Sequence, residues 1–307
     1  EDLILSHDFV EAGMLRRAGW GVRFLPRASG SFEETPQTVI DYCLRDRRWC
    51  KGNLQHLRLL TVKGFHPVSR FHLLQGAFAF LMSPAWFALL IVWSLVGTMS
   101  DNSASYFTPL NPLYPVWPEQ APFGGSLFLF FIYGMLLLPK VLGAFALGLR
   151  RRIREAYGGW GRFVGATVFE IFCSILYAPI MMVQQTIAVV LALTGKSDNW
   201  TPQNRGHGGY SWRQVLRFHV LEVVLGTFIA YGVATGSLSL WLVPIAFSLV
   251  LAPILSKLSA VNVSDLPMSF LRLNSPHDLR EPRIVTLARS KRMIMASELT
   301  KTPVAAE

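Results

Sequence analysis

Four side chains near the start of the chain have the types and spacing for chemistry on a charged ligand: Asp8, Arg45, Arg48 and Trp49. Within Asp41-Tyr-Cys-Leu-Arg-Asp-Arg-Arg-Trp-Cys-Lys-Gly-Asn53, Arg45, Arg48, Trp49 and Gly52 are three and four residues apart, so on a helix they share a face. That face is cationic and carries one large aromatic, which is wrong for a core. It suits a ligand with an anionic end and a sugar end. Arginine forks match phosphate oxygens, and an indole ring can lie on the C–H face of a pyranose. The plainer alternative is a solvated basic helix with a tryptophan at a membrane boundary. Asp8 precedes Phe9-Val-Glu-Ala12, where its carboxylate can cap a helix or act as a general base. The two roles are compatible, because a loop-to-helix junction often carries an active-site carboxylate.

Several elements must hold these residues in place. Thr35-Pro36 predicts a helix start, with Thr35 as cap and Pro36 at the first helical position, and the helix continues to Gly52. Ahead of it, Asp8 caps a helix from Phe9, with Glu11 as the reciprocal partner and Gly19 as the stop. Trp20 to Leu25 reads as a short strand before the loop Ser29 to Glu34. Residues 1 to 35 thus have the pattern of the end of a soluble α/β domain. After the tryptophan helix, Leu54, Leu57, Leu59, Leu60 and Val62, mixed with His56, Arg58 and Lys63, predict a helix lying at an interface.

The rest of the chain is organised by apolar runs. The 307 residues are 51% hydrophobic with a positive mean hydropathy, and the runs are long enough to indicate membrane spans. Phe71 to Gly97 contains no Asp, Glu, Lys or Arg and can cross a hydrocarbon layer of about 30 Å. Further spans are expected over about 126–149, 218–235 and 238–256, the last two joined by Gly236-Ser237. The segment 163–194 exceeds one span, and Pro179 divides it. Both its flanks are basic, so it predicts either a tight hairpin near Pro179 or a segment that dips without crossing. Thr98 to Gly124 has no Lys or Arg, is rich in Pro and carries Tyr106, Tyr114 and Trp117. That is the pattern of a translocated loop with interfacial aromatics.

Arg150-Arg-Arg-Ile-Arg154, the basic stretch 195–217 and the basic tail mark the opposite side. The tail reads as low in order. The net charge of +10 therefore fits membrane orientation and anionic lipid, not nucleic acid. Cys43, Cys50 and Cys173 lack metal-ligand spacing and read as free thiols. Lys140, Glu170 and Glu222 lie inside apolar segments, where ionisable groups face a polar cavity or one another. Glu170 is a candidate polar group of a channel, and Glu222, near a span end, reads as a structural pair. The charged first residues do not read as a signal peptide, and the chain has the pattern of a fragment.

At this point a family resemblance enters. Arg45-Asp-Arg-Arg48-Trp49 resembles the Q/R-x-x-R-W signature of processive family 2 glycosyltransferases such as cellulose and hyaluronan synthases. The longer set resembles a narrower group: Ser6-His7-Asp8-Phe9-Val10-Glu11-Ala12, then Gly30-Ser31-Phe32-Glu33-Glu34-Thr35-Pro36, then Arg45 to His56. This is the glucans biosynthesis glucosyltransferase H family, which makes the backbone of osmoregulated periplasmic glucans. Arg45 stands where most synthases carry Gln. The resemblance extends over nearly the whole chain, with its sharp motifs before residue 57.

The resemblance implies an α-helical polytopic membrane region preceded by the end of a GT-A-type α/β glycosyltransferase domain. Residues 1–63 would be the cytoplasmic part with its interfacial helix, 64–257 the transmembrane region, and 258–307 a cytoplasmic tail. The implied activity is that of a UDP-glucose-dependent hexosyltransferase in the bacterial inner membrane, which elongates a β-glucan and passes it across. Asp8 would deprotonate the acceptor hydroxyl, Arg45 and Arg48 would hold the nucleotide diphosphate, and Trp49 would carry the acceptor glucan. Glu33 and Glu34 are too close in sequence to form a glycosidase pair and read as loop acids near the acceptor.

The loop Asp198 to Arg205 stands where these synthases place a gating loop, so Trp200 and Arg205 would close on the sugar diphosphate, although the loop lacks their Phe-x-Val-Thr-x-Lys pattern. A divalent cation, Mg or Mn, is implied for the full-length enzyme. No Asp-x-Asp occurs here, so no metal ligand is assigned and the chain alone is expected to be inactive. The implied partners are UDP-glucose, the growing glucan, the lipid bilayer and periplasmic glucan-processing proteins, with no nucleic acid. A rival from another class is a non-enzymatic transporter or channel with a cytoplasmic regulatory segment, favoured by the intramembrane charges and the missing metal motif.

The Lys/Arg asymmetry makes a topological prediction. Cysteines placed in Thr98–Gly124 should react with an impermeant thiol reagent on intact cells, and cysteines placed after Lys257 should react only after lysis. Labelling of the tail from outside would overturn the orientation.

Overall fold

The helical character follows from the apolar runs, since a helix satisfies its own backbone groups where water is absent. The computed structural model describes residues 4–25, 35–99, 125–196, 209–238, 240–261 and 282–301. Its elements are α1 (Asp8–Arg17), α2 (Val39–Gln55), a 3-10 turn (His56–Leu59), α3 (Pro67–Met99), α4 (Gly125–Gly148), α5 (Arg151–Ala156) and α6 (Trp160–Leu193). There follow α7 (Trp212–Phe218), α8 (Val220–Ala234), a second 3-10 turn (Leu240–Leu242), α9 (Val243–Val250), α10 (Ala252–Ser259) and α11 (Arg283–Lys301).

Among the described residues there is no strand. Trp20 to Leu25, expected as one, is irregular, and Trp20, Val22, Phe24 and Leu25 are exposed. A strand needs a neighbour to take its hydrogen bonds, and none lies beside it among the described residues.

Helices α3, α4 and α6 are long and apolar enough to cross a membrane. Counting α7 with α8, bent by 63°, and the second 3-10 turn and α9 with α10, bent by 53°, brings the number to 5. The hairpin expected near Pro179 is overturned: α6 is one helix of 34 residues with Pro179 inside it. Pro139 likewise sits within a continuous α4. An interior proline removes one hydrogen bond and bends a helix, but in an apolar run the remaining backbone groups have no better partner than the helix itself. The tail expected to be low in order contains the 19-residue α11. The interfacial helix expected over 54–63 is instead the end of α2, the 3-10 turn and a loop. Arg70 Nη2 donates to the Val62 carbonyl at 2.9 Å and Nε to Phe65 at 3.2 Å, which ties that loop to the start of α3.

The chain divides into two compact units. The first holds α1 to α3, the part of α6 from Cys173, and α7 to α10. In it α1 and α2 lie on α3, and α8 pairs with α9. Met182 and Val183 of α6 pack with Leu249 of α9, and Ile180 packs with Ala252 and Leu255 of α10. The second unit holds α4, α5, the start of α6 up to Phe172, and α11. There Arg154 donates to the Gly148 carbonyl at 2.7 Å and lies 4.4 Å from the Trp160 ring centre, which fixes the turn from α4 into α6. Lys140 and Glu170 form an ion pair in the same unit.

The α8–α9 contact depends on Gly226. A Cβ there would sit 2.7 Å from the Val250 backbone nitrogen and 2.8 Å from Leu249 Cβ. Gly226→Val should therefore push the helices apart, costing about 1–3 kcal/mol as overpacking does. A thermal unfolding series in detergent checks this against Gly134→Ala, where an added Cβ meets nothing within 4 Å and no loss is expected.

Candidate functional site

Helix α2 begins later than Thr35-Pro36 promised. Its cap is Thr38, whose hydroxyl accepts from the Asp41 amide at 3.1 Å and donates to Asp41 Oδ2 at 2.6 Å. This reciprocal pairing, with an acid at the third helical position, satisfies an end donor and outcompetes a cap at Thr35. Asp41 Oδ1 also accepts from the Tyr210 hydroxyl at 2.7 Å, and the Val39 amide donates to Ser259 at 3.1 Å. The start of α2 is thereby docked on the segment before α7 and on the end of α10. Burial and the bond to Asp41 push the Tyr210 hydroxyl pKa up.

The two sides of α2 do different things. Ile40, Asp41, Cys43, Asp46, Cys50, Gly52 and Asn53 are buried. The charged members of this side are paired: Gln185 Nε2 donates to Asp46 Oδ2 at 2.9 Å, and Arg47 donates to Gln184 Oε1 at 2.8 Å. Burial raises the Asp46 pKa, against the opposing pull of Gln185 and Arg45. Burial also pushes the Cys43 and Cys50 thiols up to about 12. They are free thiols, as their spacing suggested, and stay protonated and inert.

The other side displays the residues singled out for chemistry. The Arg45 guanidinium lies 4.6 Å from the Trp49 ring centre and 5.1 Å from that of Tyr42, a sandwich of the cation–π kind. Trp49 is half exposed. Arg48 is partly exposed and makes no ion pair or hydrogen bond among the described residues. It is the motif cation whose donors are open to an anion.

Gly52 belongs to neither display nor ordinary core. An added Cβ would lie 2.6 Å from Ser6 Cβ and 2.7 Å from the Ser6 amide nitrogen, so its hydrogen lets the Ser6-His7-Asp8 stretch settle on α2. Two bonds hold it there. His56 Nε2 meets the Ser6 carbonyl oxygen at 2.7 Å, and the Leu5 amide donates to Gln55 Oε1 at 3.1 Å. Phe9 adds an edge-on contact to the buried His56 ring at 6.3 Å.

Asp8 is not a cap. It is the first residue of α1, while His7 occupies the cap position with no side-chain cap bond. His7 Nδ1 lies 2.9 Å from Glu11 Oε1, so the reciprocal partner of Glu11 is His7. The Asp8 carboxylate is left 87% exposed. Gly19 does end α1 as expected, with φ of 89° and its amide on the Arg16 carbonyl at 3.1 Å.

The structure therefore gathers the Asp8 stretch, Arg45, Arg48 and Trp49 around one helix. Trp200, Arg205, Glu33 and Glu34 lie outside the described residues. Glu170 is paired with Lys140 in the second unit. Glu222 is fully buried and bonded to Gln184 and His219, the structural pairing expected of it. The Tyr177 hydroxyl of α6 donates to the Leu255 carbonyl at 2.8 Å. Sequence reasoning missed Gln184, Gln185, His56 and Tyr210 as supports. The only available signal was polarity, two adjacent glutamines inside an apolar run.

The chain matches the family model described as glycosyl transferase family group 2 over residues 4–146, which contain all of α1 to α3. It is 42% identical over 252 residues to the glucans biosynthesis glucosyltransferase H of Rhodopseudomonas palustris, covering 81% of this chain and 35% of that protein. It is 37% identical over 294 residues to the protein of the same name from Vibrio cholerae, covering 94% and 41% respectively. The chain belongs to the glucans biosynthesis glucosyltransferase H family. It spans 35 to 41% of the length of these relatives. No solved structure matches it. Ser6, Asp8, Arg48, Trp49 and Gly52 all fall inside the residues matched by the family model.

The Gly52 contact is testable in the membrane-embedded protein. Gly52→Ala should raise amide exchange across residues 5–15 roughly tenfold, as expected for a local opening made easier by about 1.4 kcal/mol, and leave residues 39–50 unchanged. Unaltered exchange in α1 would mean that Ser6 can step aside.

Proposed function

We propose that this chain is the carboxyl-terminal part of an inner-membrane glucosyltransferase that takes glucose from UDP-glucose and elongates the β-glucan backbone of osmoregulated periplasmic glucans, passing it across the bilayer. The observation that supports this reading best is the seating of Ser6 on Gly52, which sets an exposed carboxylate beside a helix displaying an open arginine and a half-exposed tryptophan. A glycosyl transfer needs those three things: a base for the attacking hydroxyl, a cation for the departing diphosphate, and a flat apolar surface for the acceptor sugar. The end of a GT-A domain would supply the nucleotide pocket upstream of α1.

Asp8 takes the proton from the acceptor hydroxyl as that oxygen bonds to the anomeric carbon and the bond to UDP breaks. Arg48 meets the negative charge that grows on the diphosphate. Arg45 adds charge nearby, while its stacking holds the Trp49 ring in one orientation. A Mg or Mn ion is proposed for the full-length protein. Among the described residues no group of three or more His, Cys, Asp or Glu could hold it; the proposal is that this chain alone transfers no glucose.

In the membrane, cytoplasmic flanks on both sides of α6 require that unbroken helix to lie along the interface instead of crossing. The bonds from its Gln184 and Gln185 to α2 support that placement, and the carboxyl terminus is then cytoplasmic.

Arg48 and Trp49 project roughly 100° apart around α2, so each has its own task. In the full-length protein, Arg48→Ala should lower glucan synthesis and UDP release together, by about a hundred- to a thousand-fold if the contact resembles an oxyanion donor worth roughly 3–4 kcal/mol. Arg48→Lys keeps the charge without the fork and should recover little. Trp49→Ala should impair elongation while hydrolysis of UDP-glucose by water partly persists. Glucan formation and UDP release, measured side by side, decide the matter. If Trp49→Ala abolishes both equally, or Arg48→Ala lowers neither, the assignment fails.

A further inference from the structure

Between Arg45 and Arg48-Trp49 stand Asp46 and Arg47, the two positions that the family signature leaves unspecified. They meet two adjacent residues of α6 in reversed order. Asp46 takes Gln185, and Arg47 takes Gln184. Each rung extends further. Ser83 of α3 donates to Gln185 Oε1. Gln184 Nε2 donates to Glu222 Oε1 of α8, which also lies 3.2 Å from His219 Nδ1. The Phe218 ring centre lies 5.2 Å from the Arg47 guanidinium carbon. Two neighbouring residues of α2 are thus tied to α3, α6 and α8, and Gln184, His219 and Glu222 are at most 2% exposed.

Such bonds carry positional information that apolar contacts lack. The Cys50, Phe80 and Ala188 packing tolerates a small slide of one helix on another, because dispersion has little directionality. Hydrogen bonds weaken steeply when bent, and in a buried setting an unmade one leaves an orphan group. A slip of α2 by one residue would rotate its side chains by roughly 100°. It would break both rungs together and re-aim Arg48 and Trp49.

We infer that Asp46–Gln185 and Arg47–Gln184–Glu222 form a two-rung clamp that fixes the rotation and axial register of α2, and so aims Arg48 and Trp49. Asp46, Arg47, Gln184, Gln185 and Glu222 are positioning residues. None of them touches nucleotide or sugar. The inference rests on the glucosyltransferase reading for its consequence in catalysis, but the register itself is a structural quantity that can be read without any assay of transfer.

The test separates aim from stability. In the full-length protein, Arg47→Met leaves the buried Gln184 Oε1 short of its partner and should lower both the thermal midpoint and elongation, the latter about tenfold or more with KM for UDP-glucose nearly unchanged. The triple variant Arg47→Met/Gln184→Leu/Glu222→Met, made in a His219→Phe background so that no buried imidazole loses its Glu222 partner, replaces the whole rung by apolar groups, and such replacements are often neutral or stabilising. It should regain the thermal midpoint and still elongate poorly, because the directional contact is gone.

Spin labels on unnatural amino acids at Leu44 of α2 and Leu221 of α8, both exposed, should give one narrow distance in the parent and a broadened or shifted one in the triple variant. Recovery of both stability and elongation by the triple variant would reduce the rung to a mere stabiliser and overturn the inference. So would an unchanged distance distribution. If Arg47→Met does not insert, the pair Asp46→Leu/Gln185→Leu makes the same comparison on the other rung. If the unmutated full-length protein transfers no glucose at all, the functional reading falls, and the spin-label distances alone judge the clamp.

Discussion

A charged helix set among apolar ones must have its buried polar groups answered, and that constraint governs this molecule. Helix α2 carries Asp41, Asp46, Arg47 and Asn53 on or near its inner side, and each makes at least one bond: to Tyr210 and Thr38, Gln185, Gln184, and the Trp49 carbonyl, while Arg47 Nε and Asn53 Oδ1 stay buried without one. Removing any one partner leaves a desolvated group, a larger penalty than the bond is worth when made. The packing of the first unit follows from this requirement. Helices α6 and α10 bond α2 directly, through Gln184, Gln185 and Ser259, and α3 and α8 hold the two glutamines through Ser83 and Glu222. The outer side of α2 is left open, since among the described residues nothing bonds Arg48.

The same division explains an apparent redundancy of cations. Arg45, Arg47 and Arg48 are near neighbours in sequence, yet the structure gives them three different environments. Arg47 points inward to a glutamine, Arg45 lies between two aromatic rings, and Arg48 is open. A helix turns about 100° per residue, so adjacent arginines cannot share a task. The short run packs a docking cation, a ring-holding cation and an open one into less than two turns. Glycines make a second economy of space. Gly52 admits Ser6 to α2, and Gly226 admits α9 to α8, at distances that no side chain would allow.

Much of the site was legible before any fold was known. The spacing of Arg45, Arg48, Trp49 and Gly52 placed them along one helix, and the Ser6-His7-Asp8 run belonged to the same motif set. Their meeting was less predictable. Ser6 and Gly52 are far apart in sequence, and nothing in either residue type announces that one seats on the other. The caps went astray for a related reason. Thr35 and Asp8 are both good cap residues, but capping is a competition among neighbours. Thr38 won its helix through a reciprocal bond with Asp41, and His7 stood ahead of Asp8. The strand expected over Trp20 to Leu25 rested on residue type alone, and strands need partners that a local pattern does not contain.

What the sequence by itself determined is therefore the set of long helices and the common side of α2 that carries Arg45, Arg48 and Trp49. An apolar run has one way to satisfy its backbone where water is scarce, and a 3.6-residue period fixes which side chains share a side. Even Pro179 could not break α6, because an apolar segment offers its backbone nothing better than continuing. What only the tertiary structure decided is the pairing of buried polar groups. Gln184, Gln185, Glu222 and Tyr210 are ordinary residues until α2 is laid against them. Their roles come from long-range directional bonds whose partners lie more than a hundred residues away along the chain, or on another helix altogether. Periodicity carries no trace of such contacts, because it describes one helix at a time.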